Sequence, residues 1–118
     1  NLIQKVVDMR FREFVFPSYA IWMSRISKEF LGRIEIHLGD YTCMIGQSSY
    51  STTEGYVYRC AISSDSNPFN IYSNCIFDES ICIKDDSDRL SEWYDNIALK
   101  ANSVFEAYMK KHYTYQYY

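Results

Sequence analysis

The sequence predicts an α+β fold, with N-terminal helices, an antiparallel meander sheet of four to five strands and a long C-terminal helix packed on one face. Apolar residues recur at helical spacing near both ends of the chain, whereas the middle alternates polar and apolar residues as half-buried strands do. At 118 residues and 47% apolar content, the chain has the size of one domain with one core. We therefore treat residues 1–118 as a single domain, with a flexible tail expected at 114–118.

Two helices are predicted before the sheet. Residues 2–15 place apolar side chains at helical spacing, although the β-rich composition of residues 9–16 also permits a strand there. Pro17 interrupts this pattern, and Ser18 is a suitable N-cap for a second helix that continues to about Leu31. Gly32 would then be the residue that follows the helix C-terminus.

The middle of the chain predicts strands at residues 33–38, 41–45, 56–63, 70–77 and, as a short edge piece, 81–84. Residues 33–38 alternate perfectly, which indicates one buried face and one exposed face. The hydroxyl-rich segment 47–55 predicts a flexible hairpin loop. Turn-forming residues at 63–68 and at 78–80 are expected to separate the later strands.

The last element is the most regular. Aspartates at 85–88 can cap a helix and favour its first turn, and an apolar stripe follows from Leu90 to Tyr108. A helix of about six turns is ~37 Å long. A six-residue strand spans only ~20 Å. We therefore expect one helix end to overhang the sheet and, together with Tyr113 and Tyr115, to contact a partner, a second copy or the N-terminal helices.

The four cysteines, Cys43, Cys60, Cys75 and Cys82, do not form a CxxC or Cys/His cluster. Their spacing gives no support for a zinc site, and we assign no metal and no cofactor. Strand alternation places three of them on the core face and Cys82 on the other face. An even number allows two disulfides, but packing of free thiols in a reducing compartment is the simpler interpretation. A cytoplasmic location is the corresponding expectation.

We assign no catalytic residue. His37 and Glu35 share one face of a strand, so a small hydrolase centred on this pair is an alternative that requires a cleft beside them. A lone histidine on the exposed face of a strand is more often an ordinary surface residue. The acidic residues near Cys82 in the sequence disfavour a role as cysteine nucleophile.

The net charge of −3 is unevenly distributed. Between residues 78 and 95, seven acidic residues face only Lys84 and Arg89. Such a patch attracts a basic partner and repels nucleic acid. No apolar run approaches the ~20 residues that a membrane span needs, so no membrane contact is predicted. The predicted partner-binding residues are Asp78, Glu79, Asp85, Asp86, Asp88, Glu92, Asp95, Tyr113 and Tyr115.

Aromatic residues make up 18% of the chain and twelve of them are tyrosines, a composition typical of contact surfaces. We therefore expect a non-enzymatic protein-binding module, of the kind represented by an immunity protein or antitoxin that neutralises a basic toxin or effector domain. A homodimer is left open. One alternative is a type III-like secretion chaperone. Another is a carrier of a small apolar ligand, with a pocket between helix and sheet lined by Tyr19, Trp22, Trp93, Tyr94 and Tyr108.

Overall fold

The computed structural model describes residues 13–28, 32–52, 54–64, 75–84 and 86–113. A short helix precedes a four-stranded sheet, and a long helix follows it, so the predicted α+β class is confirmed. The elements are α1 (Tyr19–Ile26), β1 (Arg33–Leu38), β2 (Tyr41–Thr52), β3 (Gly55–Ser64), β4 (Phe77–Ile83) and α2 (Ser87–Tyr113).

The sheet is an antiparallel meander with the strand order β1-β2-β3-β4, as the sequence predicts. Its register places Ile36, Cys43, Ile62 and Phe77 in one row across all four strands. The apolar positions of each strand therefore meet on one face. Gly39, at a φ of +61°, lies in the turn that joins β1 to β2.

Two predictions about the strands are wrong. Residues 47–52 belong to β2 rather than to a loop. The pairing of β2 with β3 shifts register after Gln47 and after Ser49, and β2 then continues to the turn that joins it to β3. Residues 78–80 lie in the middle of β4 instead of breaking it. The carboxylates of Asp78 and Glu79 are accommodated by charged partners described below. Of the strand predicted at 70–77, residues 75 and 76 are not strand and 70–74 lie outside the described residues.

The first described helix is shorter than predicted. Ser18 is its N-cap, because the Ser18 hydroxyl accepts the Ile21 N–H at 3.3 Å. The helix ends at Ile26 rather than near Leu31. Gly32 does not follow the helix directly, and a Cβ on it would lie 2.3 Å from the Ile26 carbonyl oxygen. This close approach explains the glycine. Residues 13–15 are not helical, and the rest of the helix predicted at 2–15 lies outside the described residues.

The core lies between the sheet and the two helices. Trp22 of α1 is completely buried and stacks on Tyr94 of α2, with ring centroids 4.5 Å apart. The Trp22 indole N–H donates to the carbonyl oxygen of Ile45 in β2 at 3.1 Å. One buried side chain thus touches both helices and the sheet, which fixes the position of α1.

The long helix packs along nearly its whole length. Tyr41, at the start of β2, makes ring contacts with Phe105 and Tyr108, at centroid distances of 5.2 Å and 5.9 Å. Met109 is still buried. Any overhang of α2 therefore begins after Met109.

The sheet face opposite the helices is partly buried. Met44 is 2% exposed and Ala61 is fully buried, although both alternate with core-facing residues in their strands. Thr42 and Ser63, their polar neighbours on the same face, are also buried. The exposed face predicted for residues 33–38 is confirmed, because Arg33, Glu35 and His37 of β1 are exposed.

Candidate functional site

The acidic residues predicted to form one patch are divided among different surfaces. Asp78 lies on the sheet face opposite the helices, where it receives two hydrogen bonds from Arg59, one of them 2.7 Å from Nε to Oδ1. Glu79 points to the helix side and forms an ion pair with Lys100 of α2. Both carboxylates are thus neutralised within the fold, on opposite faces of β4.

Asp86 has a structural role at the start of α2. Its Oδ1 accepts the Arg89 N–H at 2.9 Å, and its carbonyl oxygen accepts the Leu90 N–H at 3.1 Å. This is the pattern of an N-cap, as the sequence predicts for this segment. The neighbouring predicted site residue, Asp85, lies outside the described residues.

Three further acidic residues share one exposed face of α2. Asp88, Glu92 and Asp95 are separated by four and three positions, and Leu99 follows four positions later. Residues at this spacing lie along one side of a helix. Leu99 is 72% exposed. Within the described parts of the chain, no ion pair neutralises the three carboxylates. We call these four residues the acidic face of α2.

The acidic face does not extend into the second half of α2. Further along the same side, Glu106 forms an ion pair with Lys110 at 3.0 Å. Tyr113 closes α2 about 37 Å from Asp88 at 1.5 Å per residue, so the structure does not bring it to the acidic face. Tyr115 lies outside the described residues.

A cleft of about 350 Å³ opens beside the first turn of α2. It lies between α1, the ends of β3 and β4, and the start of the long helix. The lining residues are Tyr19, Met23, Tyr56, Tyr58, Ile83, Asp86, Ser87 and Leu90. Of the pocket residues proposed from the sequence, only Tyr19 lines it. Trp22, Trp93 and Tyr94 instead form a packed aromatic cluster, and Tyr108 contacts Tyr41 farther along the helix.

Two tyrosines of the cleft, Tyr19 and Tyr58, have a raised pKa. Burial raises the pKa of Tyr19, and the nearby Tyr58 and Asp88 raise it further. Burial is also the main cause of the raised pKa of Tyr58. The Tyr19 hydroxyl points to the carbonyl oxygen of Ser87 at 3.5 Å. Tyr19 and Tyr58 therefore line the cleft as neutral side chains, together with the Asp86 carboxylate.

Sequence reasoning missed most of this cleft. Tyr56 and Tyr58 follow the same alternation that assigned Tyr58 to the core face, so both could have been placed together at one end of β3. Their neighbours Met23 and Ile83 have no distinguishing pattern in the sequence. Only the folded chain brings them next to Ser87.

The alternative site at His37 lies on β1, at the outer side of the sheet. The Thr42 hydroxyl is 3.1 Å from Nδ1 of His37, and a Glu35 carboxylate oxygen is 3.7 Å from Nε2. A hydroxyl, an imidazole and a carboxylate in this order could act as nucleophile, base and orienting group. The Thr42 hydroxyl is buried, however, while the His37 side chain is 61% exposed to water.

The four cysteines are free thiols, and two of them touch in the core. The sulfur atoms of Cys43 and Cys60 are 3.7 Å apart, and both side chains are fully buried. The hydrogen bond with Cys43 and burial raise the pKa of the Cys60 thiol. A buried, protonated thiol is inert, so this pair acts in packing. No group of potential metal ligands occurs among the described residues.

Within residues that the structure describes, no helix has the length and apolar composition needed to cross a membrane. Comparison with known proteins yields no match to a family model, a curated protein or a solved structure.

Proposed function

We propose that this chain is a non-enzymatic protein-binding module that docks the acidic face of α2 onto a basic partner. The observation that carries the proposal is the arrangement of Asp88, Glu92 and Asp95 on one exposed side of the helix, continued by the exposed side chain of Leu99. Charged residues steer the approach of a partner, and an apolar side chain among them gives contact area once water is excluded.

The acidic face lowers the stability of the isolated helix. Like charges three or four positions apart destabilise a helix by about 0.2–0.5 kcal/mol per pair. Asp88 is compensated by its place in the first helical turn, where the dipole favours acids. Asp95 lies beyond that turn, so the compensation does not reach it. A basic partner would remove the repulsion between Glu92 and Asp95.

The sign of the charge supports a protein partner rather than a nucleic acid, because carboxylates repel phosphates. An inhibitor that neutralises a basic toxin or effector, in the manner of an immunity protein or antitoxin, uses opposite charge to reach its target quickly. This is the form of the proposal that we favour, with the complex forming in the cytoplasm. A type III-like secretion chaperone would use the same surface for a basic client.

A second candidate function, transport of a small ligand, is favoured by the cleft beside α2. Its volume of about 350 Å³ is at the lower end of the range of ~300–1,000 Å³ for ligand pockets. Native mass spectrometry of the purified protein separates the two functions. A carrier retains a small molecule, whereas a binding module retains a protein or nothing.

The decisive experiment compares two triple variants on affinity resin with extract from the native host. One carries Asp88→Lys, Glu92→Lys and Asp95→Lys. The matched control carries Glu13→Lys, Asp40→Lys and Glu106→Lys, which changes the net charge equally at exposed positions elsewhere. We expect a protein that is captured by the wild type and by the control and is lost with the first variant.

The captured protein is then purified and its association rate is measured at low and high salt. We expect the first variant to slow association at least tenfold at low salt and to remove most of the salt dependence. Equal association rates for both triple variants would show that the acidic face does not bind the partner.

A further inference from the structure

The cleft borders the N-terminal end of the acidic face of α2, because Asp88 lies close enough to Tyr19 of the cleft to contribute to the raised pKa of that tyrosine. Asp86 and Ser87 line the cleft, and the acidic face begins at the next residue, Asp88. Tyr56, on the other side of the cleft, is 42% exposed, so its ring is accessible from solvent. A partner that covers the first turns of α2 therefore also covers the mouth of the cleft.

The walls of the cleft combine three kinds of surface. Met23, Ile83 and Leu90 contribute aliphatic groups, and Tyr19, Tyr56 and Tyr58 contribute aromatic rings. The rings of Tyr56 and Tyr58 have centroids 6.5 Å apart. Among the described lining residues, Asp86 contributes the carboxylate. Apolar walls, aromatic rings and a carboxylate together match a side chain that has an apolar stem and a cationic end.

We propose that the cleft receives a single arginine or lysine side chain from the partner. This inference rests on the proposed function and names the group by which the partner is anchored. The aliphatic stem packs against Met23 and Leu90, while the cationic end lies near the tyrosine rings and the Asp86 carboxylate. The cleft volume of about 350 Å³ is at the lower end of the range for small-molecule pockets, so the cleft accommodates a single side chain.

The charges around the cleft favour a cation over an anion. The N-terminus of α2 carries a partial positive charge and, in other helices, binds anions. Here Asp86 already occupies that position, because its carboxylate accepts the Arg89 N–H. From Lys84 to Glu92 the sequence contains four acids and two bases. An anion entering the cleft would meet the Asp86 carboxylate, whereas a cation is attracted by it.

The first test is an NMR titration with three probes, Nα-acetyl-arginine amide, the neutral isostere Nα-acetyl-citrulline amide and Nα-acetyl-glutamate amide. We expect saturable shifts of the backbone amides of Tyr56, Ile83, Ser87 and Leu90 with the arginine probe, at millimolar concentration. The citrulline and glutamate probes should produce shifts at least fivefold smaller. Equal shifts with citrulline, or stronger binding of glutamate, would overturn the inference.

Variants of the cleft distinguish the contributions of the Asp86 charge, the Tyr56 ring and the helix cap to binding of the arginine probe. Asp86→Asn removes the charge but keeps a side-chain oxygen that caps the helix equally well. Tyr56→Leu removes the ring, whereas Tyr56→Phe retains it. We expect Asp86→Asn and Tyr56→Leu to weaken binding of the arginine probe at least fivefold, and Tyr56→Phe to change it less than twofold. Glu106→Gln, at the far end of α2, is the matched control and should bind like the wild type.

The same variants distinguish failure of this inference from failure of the proposed function. If the triple variant at Asp88, Glu92 and Asp95 loses the partner while Asp86→Asn and Tyr56→Leu bind it normally, the anchoring inference is wrong and the proposed function stands. If the arginine probe binds in the cleft but the triple variant associates with the partner like the wild type, the cation site stands and the proposed function is wrong.

Discussion

The side-chain amide of Asn102 pairs with both backbone polar groups of Phe14. Oδ1 of Asn102 accepts the Phe14 N–H at 2.8 Å, and Nδ2 donates to the Phe14 carbonyl oxygen at 2.9 Å. The Phe14 ring is buried and lies 4.8 Å from the ring of Phe105, measured between centroids. An extended segment before α1 is thus held on α2 by an interaction that resembles strand pairing.

Replacing Asn102 with alanine should lower the free energy of unfolding by about 1–3 kcal/mol, because a part-buried N–H and C=O of Phe14 lose their partners. Urea denaturation followed by far-UV circular dichroism measures the change. Ser103→Ala, at the adjacent exposed position, should stay within about 0.5 kcal/mol of the wild type. Similar values for both variants would show that the pairing contributes little.

Replacing Trp22 with phenylalanine should cost about 2 kcal/mol or more. The variant removes the hydrogen bond to the Ile45 carbonyl oxygen and leaves a void in a fully buried site. The control is Trp93→Phe, since Trp93 is only half-buried. Chemical denaturation of both proteins gives the comparison. A larger loss from Trp93→Phe would mean that the centre of the aromatic cluster lies elsewhere.

The cap at Asp86 can be tested apart from its charge. Asp86→Ala should destabilise the protein by about 1 kcal/mol, whereas Asp86→Asn should leave stability nearly unchanged. Thermal unfolding by calorimetry distinguishes the two. This comparison also shows that any loss of binding by Asp86→Asn does not come from unfolding of the first turn of α2. Equal destabilisation by both variants would point to the charge instead of the cap.

Stability should decrease at alkaline pH because of Tyr94. Burial, with a smaller effect of Asp95, raises the pKa of Tyr94 from 10.0 to about 12. The folded state therefore retains a proton that the unfolded chain releases above pH 10. The stabilisation is complete below pH 10 and is lost as the pH rises towards 12, at up to about 1.4 kcal/mol per pH unit.

Urea denaturation between pH 8 and 11.5 measures this dependence, and Tyr94→Phe is the matched variant. It should be less stable near pH 7, because the hydrogen bond from the Tyr94 hydroxyl to the Pro17 carbonyl oxygen is lost. Its stability should then change less with pH than that of the wild type. Parallel curves for the two proteins would assign the alkaline loss to other tyrosines.

The elements that were predicted correctly are those whose boundaries are determined by residues nearby in the sequence. The alternation at 33–38 gives both bounds of β1, and the Pro17-Ser18 pair gives the start of α1. Capping acids give the start of α2 at Ser87. Each depends on residues within a few positions of the boundary. The fold class follows from these elements and from the turns between the strands.

The elements that were missed depend on distant partners. Asp78 and Glu79 have the composition of a turn, but Arg59 of β3 and Lys100 of α2 compensate their charges, and neither partner is close in sequence. The acidic face of α2 was predictable in part, since the helical spacing of Asp88, Glu92 and Asp95 is visible in the sequence. The cleft was not, because its walls come from four separate elements.

The buried cysteine pair in the core can report how often the folded protein opens. Cys43 and Cys60 are sealed from solvent, whereas Cys75 and Cys82 are partly accessible. An alkylating reagent can reach the sealed pair only while the sheet and α2 separate. We expect Cys75 and Cys82 to be alkylated in a fast step, and Cys43 and Cys60 in a slow step. Mass spectrometry of the slow step would therefore measure the rate of this opening without an engineered label.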